Sequence, residues 1–119
     1  MTILVVDDSS VMRKIVIRSL RQAGYGDHDV VEAEDGAQAL ESIRSSPPDV
    51  VLSDWNMPNM SGLELVTALR AEGNNVPFGF VTSESKAEQF AAGIGAGAAF
   101  LLSKPFTAED LAANLGAIL

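Results

Sequence analysis

Val50-Val51-Leu52-Ser53-Asp54-Trp55-Asn56-Met57-Pro58 decides how this chain is read. The apolar run is too short for a helix, and Pro58 precludes a simple continuation of a strand. The segment therefore reads as a buried strand over residues 50–53 that delivers an acidic side chain, Asp54, to its end. A second apolar run, Ile3-Leu4-Val5-Val6, ends the same way, in Asp7-Asp8. Two carboxylates about 4 Å apart repel by roughly 4 kcal/mol at an effective dielectric near 20. Asp7, Asp8 and Asp54 thus need a cation among them, and that conflict points to function.

Outward from these two runs, the chain alternates between short apolar segments and helical patterns. Strands are expected over 3–6, 29–33, 50–53, 78–82 and 100–103, the second being the weakest. Helices are expected over 10–22, 36–45, 62–72, 85–94 and 107–119. In the first, Ser9 or Ser10 is the N-cap, Val11, Ile15 and Leu20 lie along the apolar stripe, and Gly24 supplies the stop. Ala37, Leu40 and Ile43 mark the inner face of the second helix, and Leu65, Val66 and Leu69 that of the third. Gly93, Gly95 and Gly97 weaken the fourth. Thr107 and Asp110 are spaced as a capping box with a shortened acid. Gly79, inside a strand, suits a close approach of a neighbour. Five strand–helix repeats imply an α/β fold with a parallel sheet covered on both faces, a doubly wound architecture.

The 119 residues fit one domain, 1–119, with one core. A chain of this size buries roughly two-thirds of its unfolded surface, so no disulfide or structural metal is needed. There is no cysteine, which excludes thiolate and disulfide chemistry. No apolar run approaches the roughly 20 residues that span a bilayer, and no secretory signal pattern is present. A soluble cytoplasmic protein is expected. The formal charge of −8 argues against nucleic-acid or anionic-membrane binding.

Ligands of open parallel sheets bind beyond the carboxyl ends of the strands, where strand order reverses. Those ends carry Asp7-Asp8, Asp54, Thr82-Ser83 and Ser103-Lys104; the second strand ends at Glu34-Asp35. Oxygen-only ligands favour Mg²⁺, Mn²⁺ or Ca²⁺ over Zn²⁺, and the few carboxylates favour Mg²⁺ that retains several waters. Lys104 adds a fixed positive charge. His28 reads as a solvated loop residue, Trp55 as a partly exposed packing residue, and Met12, Met57 and Met60 as packing.

With these residues in place the chain resembles the receiver domains of two-component response regulators over nearly its whole length. It is most similar to single-domain chemotaxis regulators of the CheY type, through Asp54-Trp55-Asn56-Met57-Pro58-Asn59-Met60 and Gly62-Leu63-Glu64-Leu65. The resemblance implies a flavodoxin-like (βα)5 sheet with strand order 2-1-3-4-5. It implies Asp54 as phosphoacceptor, Asp8 as direct metal ligand, Asp7 as a ligand through water, and Asn56 as a ligand by its backbone carbonyl. Lys104 would contact the phosphoryl group, Lys104-Pro105 would be cis, and Thr82 would be the hydroxyl that moves on phosphorylation. The implied cofactor is Mg²⁺, with Mn²⁺ as an alternative. The protein would not be an enzyme in its own right but a phosphoacceptor that assists its own phosphorylation and dephosphorylation, with Asn56 and Glu84 at rate-tuning positions.

The implied partners are a histidine kinase as phosphodonor and a downstream protein, either the flagellar motor switch or a phosphatase. The chain would be a monomer, or a dimer once phosphorylated, whose fourth helix, fifth strand and fifth helix form the output surface. Two features depart from the pattern. Leu101 holds the place of the usual switch aromatic, and Phe100 beside it faces the opposite side of the sheet. Residues 107–119 contain no Lys or Arg. Alternatives are a receiver cut from a longer regulator and a phosphate sink without an output partner. A phosphatase with an Asp nucleophile would need a second Asp where Asn56 stands, and a flavin phosphate would be repelled by Asp7-Asp8.

Overall fold

The computed structural model describes residues 1–83 and 86–119. Five strands form one parallel sheet: β1 (Thr2–Val6), β2 (Asp29–Ala33), β3 (Val50–Ser53), β4 (Phe78–Thr82) and β5 (Phe100–Ser103). Their spatial order is β2-β1-β3-β4-β5, as the resemblance implied. The helices are α1 (Ser10–Leu20), α2 (Gly36–Ser45), α3 (Gly62–Ala71), α4 (Ala87–Gly95) and α5 (Ala108–Ile118). The start expected for the fourth helix at Ser85, and Glu84 before it, lie outside the described residues.

The sheet is apolar on both faces because helices cover both. One core cluster joins Leu4, Val6, Val51, Phe78 and Phe80 to Ala39, Leu40 and Ile43 of α2 and Leu65, Val66 and Leu69 of α3. The other joins Ile3, Val5, Val50, Leu52, Val81 and Phe100 to Val16 and Leu20 of α1 and Leu111 and Leu115 of α5. Alternation along β5 sends Phe100 to the second cluster and Leu101 toward the first.

Local chemistry sets the helix ends. Ser9 caps α1 by accepting from Met12 N–H, and Asp35 caps α2 by accepting from Gln38 N–H. Full capping boxes start α3 (Ser61 and Glu64) and α5 (Thr107 and Asp110). The first helix ends at Leu20 rather than running to residue 22. A π-helical turn, Arg21–Tyr25, follows, and Gly24 takes φ +98° there. Gly79 and Phe100 are register partners on β4 and β5, and the Phe100 ring fills the space a Gly79 side chain would need.

Two inner faces differ from expectation. Val11 is 64% exposed and Ile15 is also exposed; the buried stripe of α1 is Arg13, Val16 and Leu20. Ala37 is exposed as well, its place on α2 taken by Ala39. Gly93 does not end α4 but sits against the rings of Phe80 and Trp55, where there is little room for a larger residue.

Candidate functional site

Strand pairing brings the chemical groups together. Val6 and Ser53 are register partners on β1 and β3, so Asp7 and Asp54 follow side by side, and Asp54 N–H donates to the Val6 carbonyl at 2.8 Å. Thr82 and Ser103 are register partners on β4 and β5, and Lys104 N–H donates to the Thr82 carbonyl at 2.8 Å. The β1–β3 pair is where the strand order reverses, the crevice in which such sheets bind ligands.

At that crevice Asp7, Asp8 and Asp54 offer carboxylate oxygens that all lie within 4.8 Å of one another. Asp7 is 3% exposed, Asp54 is half-buried, and Asp8 faces solvent. Lys104 Nζ donates to Asp7 Oδ2 at 3.1 Å and lies 3.8 Å from Asp54 Oδ2. Asp54 Oδ1 accepts from Trp55 N–H at 2.8 Å. Burial pushes the Asp54 carboxyl above its ordinary range; the Lys104 charge and the Trp55 N–H pull it down, Asp7 adds to the rise, and the Thr82 hydroxyl bond lowers it. The buried Thr82 is therefore already in contact with Asp54. Asn56 is exposed two residues beyond Asp54. The Lys104-Pro105 peptide is cis, as the resemblance implied.

The donor set suits a hard divalent cation. It consists of oxygens only, Lys104 offsets part of the negative charge, and the exposed Asp8 leaves one side open to retained water. The backbone beneath it is closely fitted. A side chain at Gly62 would run into the Asp54 carbonyl and the Phe80 ring. Trp55 is only 8% exposed and packs on Phe80 with ring centroids 4.7 Å apart and planes tilted by 40°, so it is a core residue and not the partly exposed one expected. Glu34 is exposed, and Asp35 is not part of the carboxylate group. Asp35 accepts from Gln38 N–H and from the Asn59 side chain, both at 2.8 Å, and these bonds hold its carboxyl below the ordinary value.

One residue near the site escaped the sequence reading. Arg13, on the inner stripe of α1, donates through Nη1 to the Asp7 carbonyl at 2.6 Å and through Nε to Glu32 Oε1 at 2.9 Å. Its signal was positional: residues 13, 16 and 20 share helical spacing, but a basic residue is not ordinarily counted into a core face.

Comparison with known proteins agrees with this geometry. Residues 3–116 match the response regulator receiver domain. The chain is 41% identical to the chemotaxis protein CheY-3 of Vibrio cholerae over 120 residues, covering 99% of this chain and 91% of CheY-3. It is also 41% identical over 117 residues to the transcriptional regulatory protein PrrA of Mycobacterium bovis, covering 98% of this chain but 49% of PrrA. Among solved structures, Vibrio cholerae CheY4 superposes with a TM-score of 0.86 at 37% identity, over 99% of this chain and 98% of that one. The chain belongs to the response regulator receiver domains, the phosphoacceptor family of two-component signalling.

Proposed function

We propose that Asp54 is the phosphoacceptor and that Lys104, Thr82 and the acidic pair serve its phosphorylation. The observation that carries this reading is the Asp54 carboxylate, half-buried within 4.8 Å of the Asp7 and Asp8 oxygens and 3.8 Å from the Lys104 ammonium. An Asp54 oxygen attacks the phosphorus of a phosphohistidine on the kinase. A P–O bond forms as the P–N bond breaks, the electron pair leaves with the imidazole, and Asp54 becomes an acyl phosphate. An ionised carboxylate needs no general base. Mg²⁺, or Mn²⁺ in its place, supplies charge neutralisation at the transferring oxygens when held by Asp8, Asp54 and the Asn56 carbonyl, with Asp7 acting through water.

Lys104 is tethered to Asp7 and placed to receive a phosphoryl oxygen. Thr82 exchanges its bond to the carboxylate for one to the new phosphoryl group, and its shift is passed to α4, β5 and α5. Leu101 packs against the cluster containing Phe80 and responds by repacking, without a hydroxyl. The exposed Asn56 leaves water access to the acyl phosphate, so the phosphoryl group is short-lived.

The similarity to CheY-3 supports a stand-alone chemotaxis-type regulator made of the single domain 1–119, cytoplasmic and monomeric before phosphorylation, with the motor switch or a phosphatase as target. No helix among the described residues is long and apolar enough to cross a membrane. The match to half of PrrA favours a second reading, a receiver within a longer regulator. Acetyl phosphate with Mg²⁺ followed by intact-mass analysis tests the central reading. Wild type gains one phosphoryl group, chelation prevents it, and Asp54→Asn gains none. Equal labelling of both proteins would remove Asp54 from its role.

A further inference from the structure

We propose that Arg13 is a positioning residue for the acidic pair: by gripping the Asp7 carbonyl it sets the direction in which Asp8 is offered to the cation. The proposal rests on the reading of Asp7, Asp8 and Asp54 as a Mg²⁺ site.

Arg13 is 9% exposed, and a cation buried that far is retained only where it has partners. It has two. Nη1 donates to the Asp7 carbonyl at 2.6 Å, and Nε donates to Glu32 Oε1 at 2.9 Å. Glu32 stands on the edge strand β2, with its side chain 46% exposed, so it braces Arg13 from the rim of the sheet. Neither bond reaches the Asp7, Asp8 or Asp54 carboxylates, and Arg13 is not itself a ligand.

Its leverage comes from peptide planarity. The Asp7 carbonyl belongs to the peptide plane that carries the Asp8 nitrogen and Cα, so fixing that oxygen fixes where Asp8 begins. The other polar groups of Asp7 are held as well. Its N–H donates to the Ala33 carbonyl at 3.1 Å, Oδ1 accepts from Ser9 N–H at 2.9 Å, and Oδ2 accepts from Lys104 at 3.1 Å. Asp8 faces solvent and has no comparable set of bonds to orient it among those described. Its placement therefore depends on the plane before it. Removing the guanidinium leaves a buried carbonyl without its donor and lets that plane rotate. The consequence falls on metal affinity, as it does when partners behind metal ligands are removed, on the order of 10-fold or more.

The test measures Mg²⁺ binding by calorimetry and the Mg²⁺ dependence of acetyl phosphate labelling. It compares wild type, Arg13→Gln, Arg13→Lys, Glu32→Gln and a surface control, Arg18→Gln. Arg13→Gln is expected to raise both the dissociation constant and the half-saturating Mg²⁺ concentration about 10-fold, with labelling recovering at saturating Mg²⁺. Arg13→Lys restores part of the affinity, Glu32→Gln loses a smaller part, and Arg18→Gln changes nothing. A general structural defect would instead lower labelling at every Mg²⁺ concentration. If Arg13→Gln does not fold, Glu32→Gln carries the test, because its partly exposed side chain can be changed without opening the core. Folded variants with wild-type Mg²⁺ affinity, or with labelling lost at saturating Mg²⁺, overturn the proposal. Failure of wild type to bind Mg²⁺ would overturn the metal site itself and is a separate result.

Discussion

Lys104 Nζ stands 3.8 Å from Asp54 Oδ2, near enough for strong charge attraction and beyond the reach of a good hydrogen bond. Its hydrogen bond goes to Asp7 instead. The ammonium is thus held in place by a neighbour while its charge faces the Asp54 carboxylate, the proposed phosphoacceptor. Lys104→Met is expected to slow acetyl phosphate labelling at saturating Mg²⁺ by about 100-fold, the scale of losing one preorganised transition-state donor. Mg²⁺ binding is expected to be retained or tightened, because a positive charge has been removed from beside the cation. Labelling kinetics and calorimetry on the same preparation check both halves.

Asp54 carries a stability cost that can be measured. Burial, the largest cause, raises its folded-state pKa above the ordinary value of 3.8. A group raised in this way favours the folded state fully below its unfolded pKa, and that contribution is lost as pH rises through the folded-state value. Without metal, wild type should therefore lose stability as pH climbs from about 4 through the raised value. Asp54→Asn should flatten that loss and be more stable than wild type at neutral pH. Urea denaturation at several pH values reads this directly.

Asp35 has the opposite sign. Its bonds from Gln38 N–H and Asn59 lower its folded-state pKa, so its contribution is present above the ordinary value of 3.8 and lost as pH falls through the folded-state value. Asp35→Ala removes the α2 cap and the tie to the β3–α3 loop, and should cost about 2 kcal/mol at neutral pH. The deficit against wild type should shrink under acid, as seen by thermal or urea unfolding.

The strand ends were legible because buried strands and turn residues leave a plain mark. Val50–Ser53 before Asp54, and the apolar run before Asp7, placed the carboxylates correctly at one edge of the sheet. Strand order came only from the resemblance, since apolar runs do not record which neighbour each one pairs with. The helix faces were less legible. Val11 and Ile15 look like core residues by type yet face solvent, while Arg13 looks like a surface residue and lies inside. Hydrophobicity sorts residues by their cost of exposure, and that sorting fails where a buried cation has a carbonyl and a carboxylate waiting for it. Trp55 was misjudged for a related reason. Its place next to Asp54 suggested a rim, but just beyond the end of β3 the chain packs its ring into the core against Phe80.

Gly62 shows how closely the site's backbone is packed. The space for a side chain there is taken by the Asp54 carbonyl and the Phe80 ring. Gly62→Ala should destabilise by about 3 kcal/mol, the upper end of the usual cost of overpacking. Because the displaced atom is the backbone of Asp54 itself, labelling should also fall in whatever fraction remains folded. Urea titration combined with labelling of the folded protein separates the two effects.

Receipt of the phosphoryl group by Asp54 can be read at the residue itself. Wild type labelled with acetyl phosphate and Mg²⁺ can be treated with borohydride, which reduces an aspartyl phosphate to homoserine, and then digested for peptide mass sequencing. Homoserine is expected at position 54, with intact Asp at positions 7 and 8. Homoserine at 7 or 8, or a modified side chain elsewhere with Asp54 intact, would contradict it.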